Sequence, residues 1–285
     1  MIPLRDTVPS RRTPLVTWTL IALNAAVFFF ELSLGPAPLQ RLFEGFGLVA
    51  ARFTDPLWAA SMGYPTGTTI PIFTSMFLHL NWAHALVNLW TLWIFGDNVE
   101  DRMGHARFLL FYILTGLLAG IVHCLVHPHS TIPAIGASGA VAGVLGAYLV
   151  FFPKARIVVA FPVLLFFFFA RLPAVFYLLS WIGSQVICGA MASLGTDIDK
   201  IAWWAHTGAF LAGISICRSF LLPAPPPLAY RRYQVHWPLL DQQKWPGSHR
   251  IPGHRFSRQD GIAPAPSHSQ YPRAVSASRS NPWPT

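Results

Sequence analysis

The chain is short of charge. Of its 285 residues only 11% are Asp, Glu, Lys or Arg, whereas 53% are hydrophobic. A soluble domain carries about 25% charged residues, so water is excluded as the solvent for most of this sequence. Cysteine is scarce as well, with Cys124, Cys188 and Cys217 all in or beside apolar runs. That set offers neither a disulfide framework nor zinc-binding spacing. Acidic residues are missing over a long stretch, since none stands between Arg102 and Thr196. No cleavable leader is evident either. The first apolar run begins near Leu15 and lasts about twenty residues, longer than a signal-peptide core, and is read as a retained span.

What is present is a series of long apolar segments. A bilayer core about 30 Å thick is crossed by about 20 apolar residues of helix. Six segments fit, at 15–34, 76–95, 106–126, 134–152, 172–191 and 201–222. Backbone amides in lipid must be bonded within their own segment, so each is expected to be helical. Residues 157–169 are apolar but short and contain Pro162. Their length suits an interfacial or re-entrant piece rather than a span. The expected fold class is an all-α membrane protein, a six-transmembrane-helix bundle over 15–222. A cytoplasmic N-terminal segment, 1–14, precedes it. The tail, 223–285, is basic and rich in Pro, Ser and His, and is expected to be disordered.

Basic residues set the direction of the chain. Arg5, Arg11 and Arg12 precede the first segment, Arg102 and Arg107 follow the second, and Lys154, Arg156 and Arg171 follow the fourth. The alternate connections hold only Arg41, Arg52 and Lys200. The positive-inside rule then places both termini in the cytoplasm, whereas a seventh span would reverse the tail. The net charge of +9 lies largely in that tail. It points to anionic membrane lipids as partners. No nucleic-acid-binding fold accompanies it, and no feature specifies an oligomeric state.

Polar residues within spans default to function. Ser138 opens the fourth segment in Gly136-Ala137-Ser138-Gly139. Alone it reads equally as a helix cap or a packing residue. Gly139, Gly143 and Gly146 form a small face that another helix can approach, and a serine nucleophile needs its base within about 3 Å. His206 lies in the sixth segment beside a second small face, Ala205, Ala209 and Gly213. The second segment holds His79, His84 and Asn88. His84 and Asn88 share one helix face, and both can donate hydrogen bonds to an oxyanion. A metal site built from His79, His84 and His206 is the rival reading. It lacks a carboxylate ligand and its His-x4-His spacing suits one helical face poorly. With the orientation above, Ser138, His206, His84 and Asn88 fall at similar depth. Without a carboxylate in the third to sixth segments, a Ser-His dyad is the economical reading.

Four patches in order then resemble the rhomboid family of intramembrane serine proteases. They are HLNWAHALVN, containing His79, His84 and Asn88; Glu100-Asp101-Arg102-Met103-Gly104; GASG at 136–139; and AH-x-G-x4-G at 205–213. The resemblance covers about 15–222. It implies a short fourth helix surrounded by the others, with Ser138 as nucleophile and His206 as base and then acid. It implies an oxyanion hole from Asn88, His84 and the Ser138 amide, with Gly136 and Gly139 supporting the site and His79 lining its cavity. The substrates implied are transmembrane segments of other proteins, without metal or cofactor. The expected location is a bacterial inner membrane. The alternative is a catalytically inactive rhomboid-like factor that binds membrane proteins. The chain departs from the family at Ala142, where an aromatic often packs on the histidine. Phe210 or Trp204 are candidates to replace it. It departs also at Ala209 and at Ile70-Pro71-Ile72.

Overall fold

A computed structural model describes residues 1–65, 67–163, 166–194 and 202–222. The tail expected to be disordered lies outside them. The long helices are α1 (Leu15–Ser33), α6 (Trp82–Met103), α7 (His105–Val126) and α9 (Ala174–Ser193), with shorter α8 (Ser138–Phe151) and α10 (Trp203–Ile216). Between α1 and α6 run four small helices, α2 (Pro36–Phe46), α3 (Ala51–Thr54), α4 (Pro56–Ser61) and α5 (Ile70–Thr74). By length and apolarity α1, α7 and α9 are able to cross a membrane. A fourth crossing is available if residues 70–77 and α6 count as one bent span. The chain is a mostly helical integral membrane protein.

Two expectations need correcting. The first concerns the second apolar segment, whose helix begins at Trp82 rather than near 76. The Asn81 side chain accepts from the amide of His84 at 2.9 Å. It thereby caps α6, and the residues before it turn away by 90°. His79 therefore precedes the helix that carries His84 and Asn88. At its other end α6 runs past Asp97, Glu100 and Arg102 and stops at Gly104, whose φ of +76° suits glycine.

The second correction is to the all-α class. Ile2–Asp6 (β1), Arg156–Val163 (β2) and Phe166–Pro173 (β3) form an antiparallel sheet in the order β1-β2-β3. The apolar stretch around Pro162 thus supplies most of β2 and the first part of β3. β-branched and aromatic residues favour this choice, and proline opposes a helix interior. Alternation decides which residues face inward: Ile157 and Val159 are fully buried.

α8 is the centre of the molecule. Every residue from Gly139 to Tyr148 is buried, and α6, α7, α9 and α10 pack around it. Small residues permit this, since a β-carbon on Gly146 would overlap the Phe210 carbonyl and one on Gly213 would overlap the Gly143 carbonyl. Gly139 and Gly143 instead face Ala119 and Thr115 of α7. The expected single small face of α8 is therefore divided between two neighbours.

Two carboxylates fasten the other end of the bundle. Glu100 is buried on α6 and accepts from the Val16 amide at 2.9 Å, the Thr17 amide at 2.8 Å and the Thr17 hydroxyl at 2.7 Å. α1 starts after Pro14 without a local side-chain cap, so its exposed amides and positive dipole end are satisfied from a distant helix. Asp6 of β1 accepts from the Tyr148 hydroxyl at 2.5 Å and the Asn98 amide at 2.8 Å.

Candidate active site

Ser138 is the first residue of α8, and the turn before it is specific. Gly136 has φ +126°, and its amide donates to the Ser75 carbonyl at 2.8 Å. A β-carbon there would lie 2.6 Å from Nε2 of His84. Glycine thus serves both the backbone conformation and the close approach of the imidazole. The first-turn amides of α8, including that of Ser138, have no partner within the helix.

His206 projects from α10, and its Nε2 lies 2.7 Å from Oγ of Ser138. Its Nδ1 lies 2.8 Å from Oε1 of Gln185 on α9. The Gln185 amide nitrogen donates to the Ser184 hydroxyl at 3.2 Å, which orients the carbonyl oxygen toward the ring. Two aromatics surround the imidazole. Trp181 stacks on it at 6.4 Å and 30° between planes, and Trp203 meets it edge-on at 6.4 Å. Trp204 packs at Gly189 and donates to Ser193, and Phe210 backs Trp181. The support expected from Phe210 or Trp204 therefore falls to Trp181 and Trp203, while Ala142 is simply buried.

The remaining predicted residues form a second layer. His84 lies beside Gly136, and the His79 ring is 5.3 Å from that of His84. His79 itself is buried, with its amide held by the Glu31 carboxylate of α1. Asn88 is buried one turn beyond His84. A cavity of about 50 Å³ borders Ser138 and His206 and is also lined by Ser75, Gly136 and His123. That is room for more than one water molecule. His79 is not in this lining, and Gly139 enters it while packing on Ala119. Both ring nitrogens of His79 and of His123, and Nδ2 of Asn88, are buried without a hydrogen-bond partner among the described residues. Such groups are available to water or to a substrate. Among the described residues no three His, Cys, Asp or Glu side chains converge as metal ligands do.

Sequence reasoning missed Gln185 and His123. It looked for a carboxylate to orient the histidine and passed over an amide. A signal was present, because Gln185 is the one amide side chain in the fifth apolar segment.

A family model of the rhomboid domain matches residues 66–222, more than half of the chain. The chain belongs to the rhomboid family. Several curated proteins are similar to part of its sequence. YdcA of Bacillus subtilis is 30% identical over 140 residues, 49% of this chain and 63% of the relative. The rhomboid protease GluP of the same organism is 40% identical over 137 residues, 48% of this chain and 24% of the relative. The mitochondrial rhomboid protein 1 of Saccharomyces cerevisiae is 33% identical over 154 residues, 52% and 40% of the two chains. In each case this rhomboid spans less than two thirds of the relative's length. Its residues 66–222 include Ser138, His206, Gln185, His84 and Asn88.

Proposed function

We propose that this rhomboid is an intramembrane serine endopeptidase that cuts transmembrane segments of other proteins with a Ser138–His206 dyad. The observation that carries the reading is the 2.7 Å separation of Ser138 Oγ and His206 Nε2 at the edge of a small, mostly apolar cavity that Ser75 and His123 also line. The membrane unit, 15–222, is read as six spans with both termini cytoplasmic, and the bacterial inner membrane is its proposed home.

The geometry supports the following chemistry. His206 Nε2 accepts the hydroxyl proton as Oγ attacks the scissile carbonyl carbon. Negative charge develops on the carbonyl oxygen, where the Ser138 amide and the side chains of His84 and Asn88 donate hydrogen bonds. The resulting imidazolium protonates the leaving amine as the C–N bond breaks. Water then enters, loses a proton to Nε2 and attacks the acyl-enzyme carbonyl; the C–Oγ bond breaks, Nε2 returns the proton to Oγ, and the new carboxyl end leaves. A substrate helix hides its amides in its own hydrogen bonds, so it must unwind locally before attack. The polar groups around the cavity, His123 among them, can satisfy the freed backbone.

The test is cleavage of a reporter bearing one transmembrane segment, with enzyme and reporter reconstituted in liposomes. Ser138→Ala and His206→Ala are each expected to lower the rate at least about thousandfold while leaving insertion and melting temperature unchanged. Undiminished cutting by both variants would overturn the dyad. A wild-type protein that retains the reporter in pull-down without cutting it would favour the inactive binding relative.

A further inference from the structure

We propose that Gln185, with Trp181 beneath the ring, is the positioning element that fixes the tautomer and orientation of His206. This rests on the reading of Ser138 and His206 as the dyad. It adds the part that a carboxylate plays in a Ser-His-Asp triad, supplied here by a neutral amide from a different helix.

The observations converge from three sides. First, the hydrogen bonds have one consistent direction. The Gln185 NH2 group is committed to the Ser184 hydroxyl, so Oε1 faces His206 Nδ1 at 2.8 Å. An amide oxygen only accepts, so Nδ1 must carry the proton. Nε2 then presents its lone pair to Ser138 Oγ at 2.7 Å, which is the form a general base requires. Second, Trp181 and Gln185 are four residues apart on α9 and share one face. One stacks on the imidazole plane and the other holds its edge. Third, among the described residues neither a ring on α8 nor an acid holds the imidazole instead. Ala142 stands four residues after Ser138, where it offers no ring to stack on. No Asp or Glu lies between Arg102 and Thr196 to accept from Nδ1. α9 therefore provides both the stacking surface and the acceptor that α8 lacks.

An amide and a carboxylate differ in one respect that matters. Both fix the ring, but the neutral amide stabilises the imidazolium less. Orientation, not added charge, is what Gln185 contributes. Burial suits an amide, since Gln185 is 6% exposed, and a carboxylate is tolerated there only while it accepts from the imidazole.

The test separates positioning from packing. Gln185→Leu fills the same space without an acceptor, and Gln185→Glu keeps an acceptor at the same reach. Two readouts are needed in detergent-solubilised full-length protein: kcat and KM on the reporter, and the labelling rate of Ser138 by a fluorophosphonate, which needs no substrate. Gln185→Leu is expected to lower kcat and the labelling rate about a hundredfold, the scale set by a misplaced catalytic group, with KM kept. Gln185→Glu is expected to recover most of that loss. A packing role predicts the reverse order, with the apolar residue tolerated and the acid harmful. Leu cutting within threefold of wild type, or Leu and Glu equally impaired, would overturn the proposal. If Gln185→Leu fails to accumulate, Gln185→Met makes the same comparison. Failure of the dyad itself would show differently, as continued cutting by Ser138→Ala. A dead Ser138→Ala beside a fully active Gln185→Leu would reject Gln185 alone.

Discussion

The two ends of α8 treat polar groups in opposite ways. At the Ser138 end, His79, His123 and Asn88 hold buried donors or acceptors that meet no protein partner, and a cavity lies among the helices. At the far end, Glu100 accepts from α1 and also meets His105, while Asp6 receives Tyr148 and Asn98. Unsatisfied buried groups cost about 1–3 kcal/mol each. Most of that cost is concentrated at the end where the proposed reaction would meet substrate and water, although Asn24 Oδ1 and the Tyr112 hydroxyl also lack a hydrogen-bond partner among the described residues. The acids at this far end are fasteners, and the proposed chemistry is left to neutral side chains.

Substitutions can break this division. The largest effect is expected from Glu100→Ala, which leaves the first amides of α1 and a buried hydroxyl without an acceptor. The cost is about 1–3 kcal/mol for each donor left unsatisfied, read as a lowered melting temperature in detergent, with cleavage per folded molecule retained. Loss of activity without loss of stability would contradict the division.

Next comes Asn88→Ala at the opposite end. Removing one oxyanion donor typically costs about 10²–10³ in kcat. Here it should leave the melting temperature within about a degree of wild type, because the Asn88 amide nitrogen has no hydrogen-bond partner among the described residues. A stability loss comparable to that of Glu100→Ala would mean that the two ends are alike.

The smallest effect concerns pH. Burial pushes Asp6 from 3.8 up to about 6, although the Tyr148 hydroxyl partly offsets it. The folded protein thus holds a proton there that the unfolded chain releases. This contribution to stability is fully present below about pH 4 and fades as pH rises through 6, by no more than about 3 kcal/mol. Asp6→Asn should flatten the dependence of melting temperature on pH between 4 and 7. An unchanged slope in the variant would place the proton elsewhere.

Much of the helical frame was legible because apolar runs and helices coincide. The runs 15–34 and 106–126 become Leu15–Ser33 and His105–Val126. The nearness of Ser138 and His206 was legible too, because small residues flank both and allow backbones to touch. The misses share a cause. The hairpin around Pro162 depends on pairing with residues 2–6, which no local pattern announces. The late start of α6 depends on one capping side chain inside an otherwise apolar run. Gln185 and Trp181 act on a residue of another helix, so their role emerges only from three-dimensional packing.

The sheet ties distant parts of the sequence together, and this bears on how the molecule is made. Residues 2–6 leave the ribosome well ahead of their strand partners, which begin at 157. At about 5–20 residues per second, on the order of ten seconds pass before those partners exist. For that interval the leading strand has neither its ladder nor Tyr148 to hold it, and four of the apolar segments will already have emerged. Closure of this strand is therefore a late event in biogenesis.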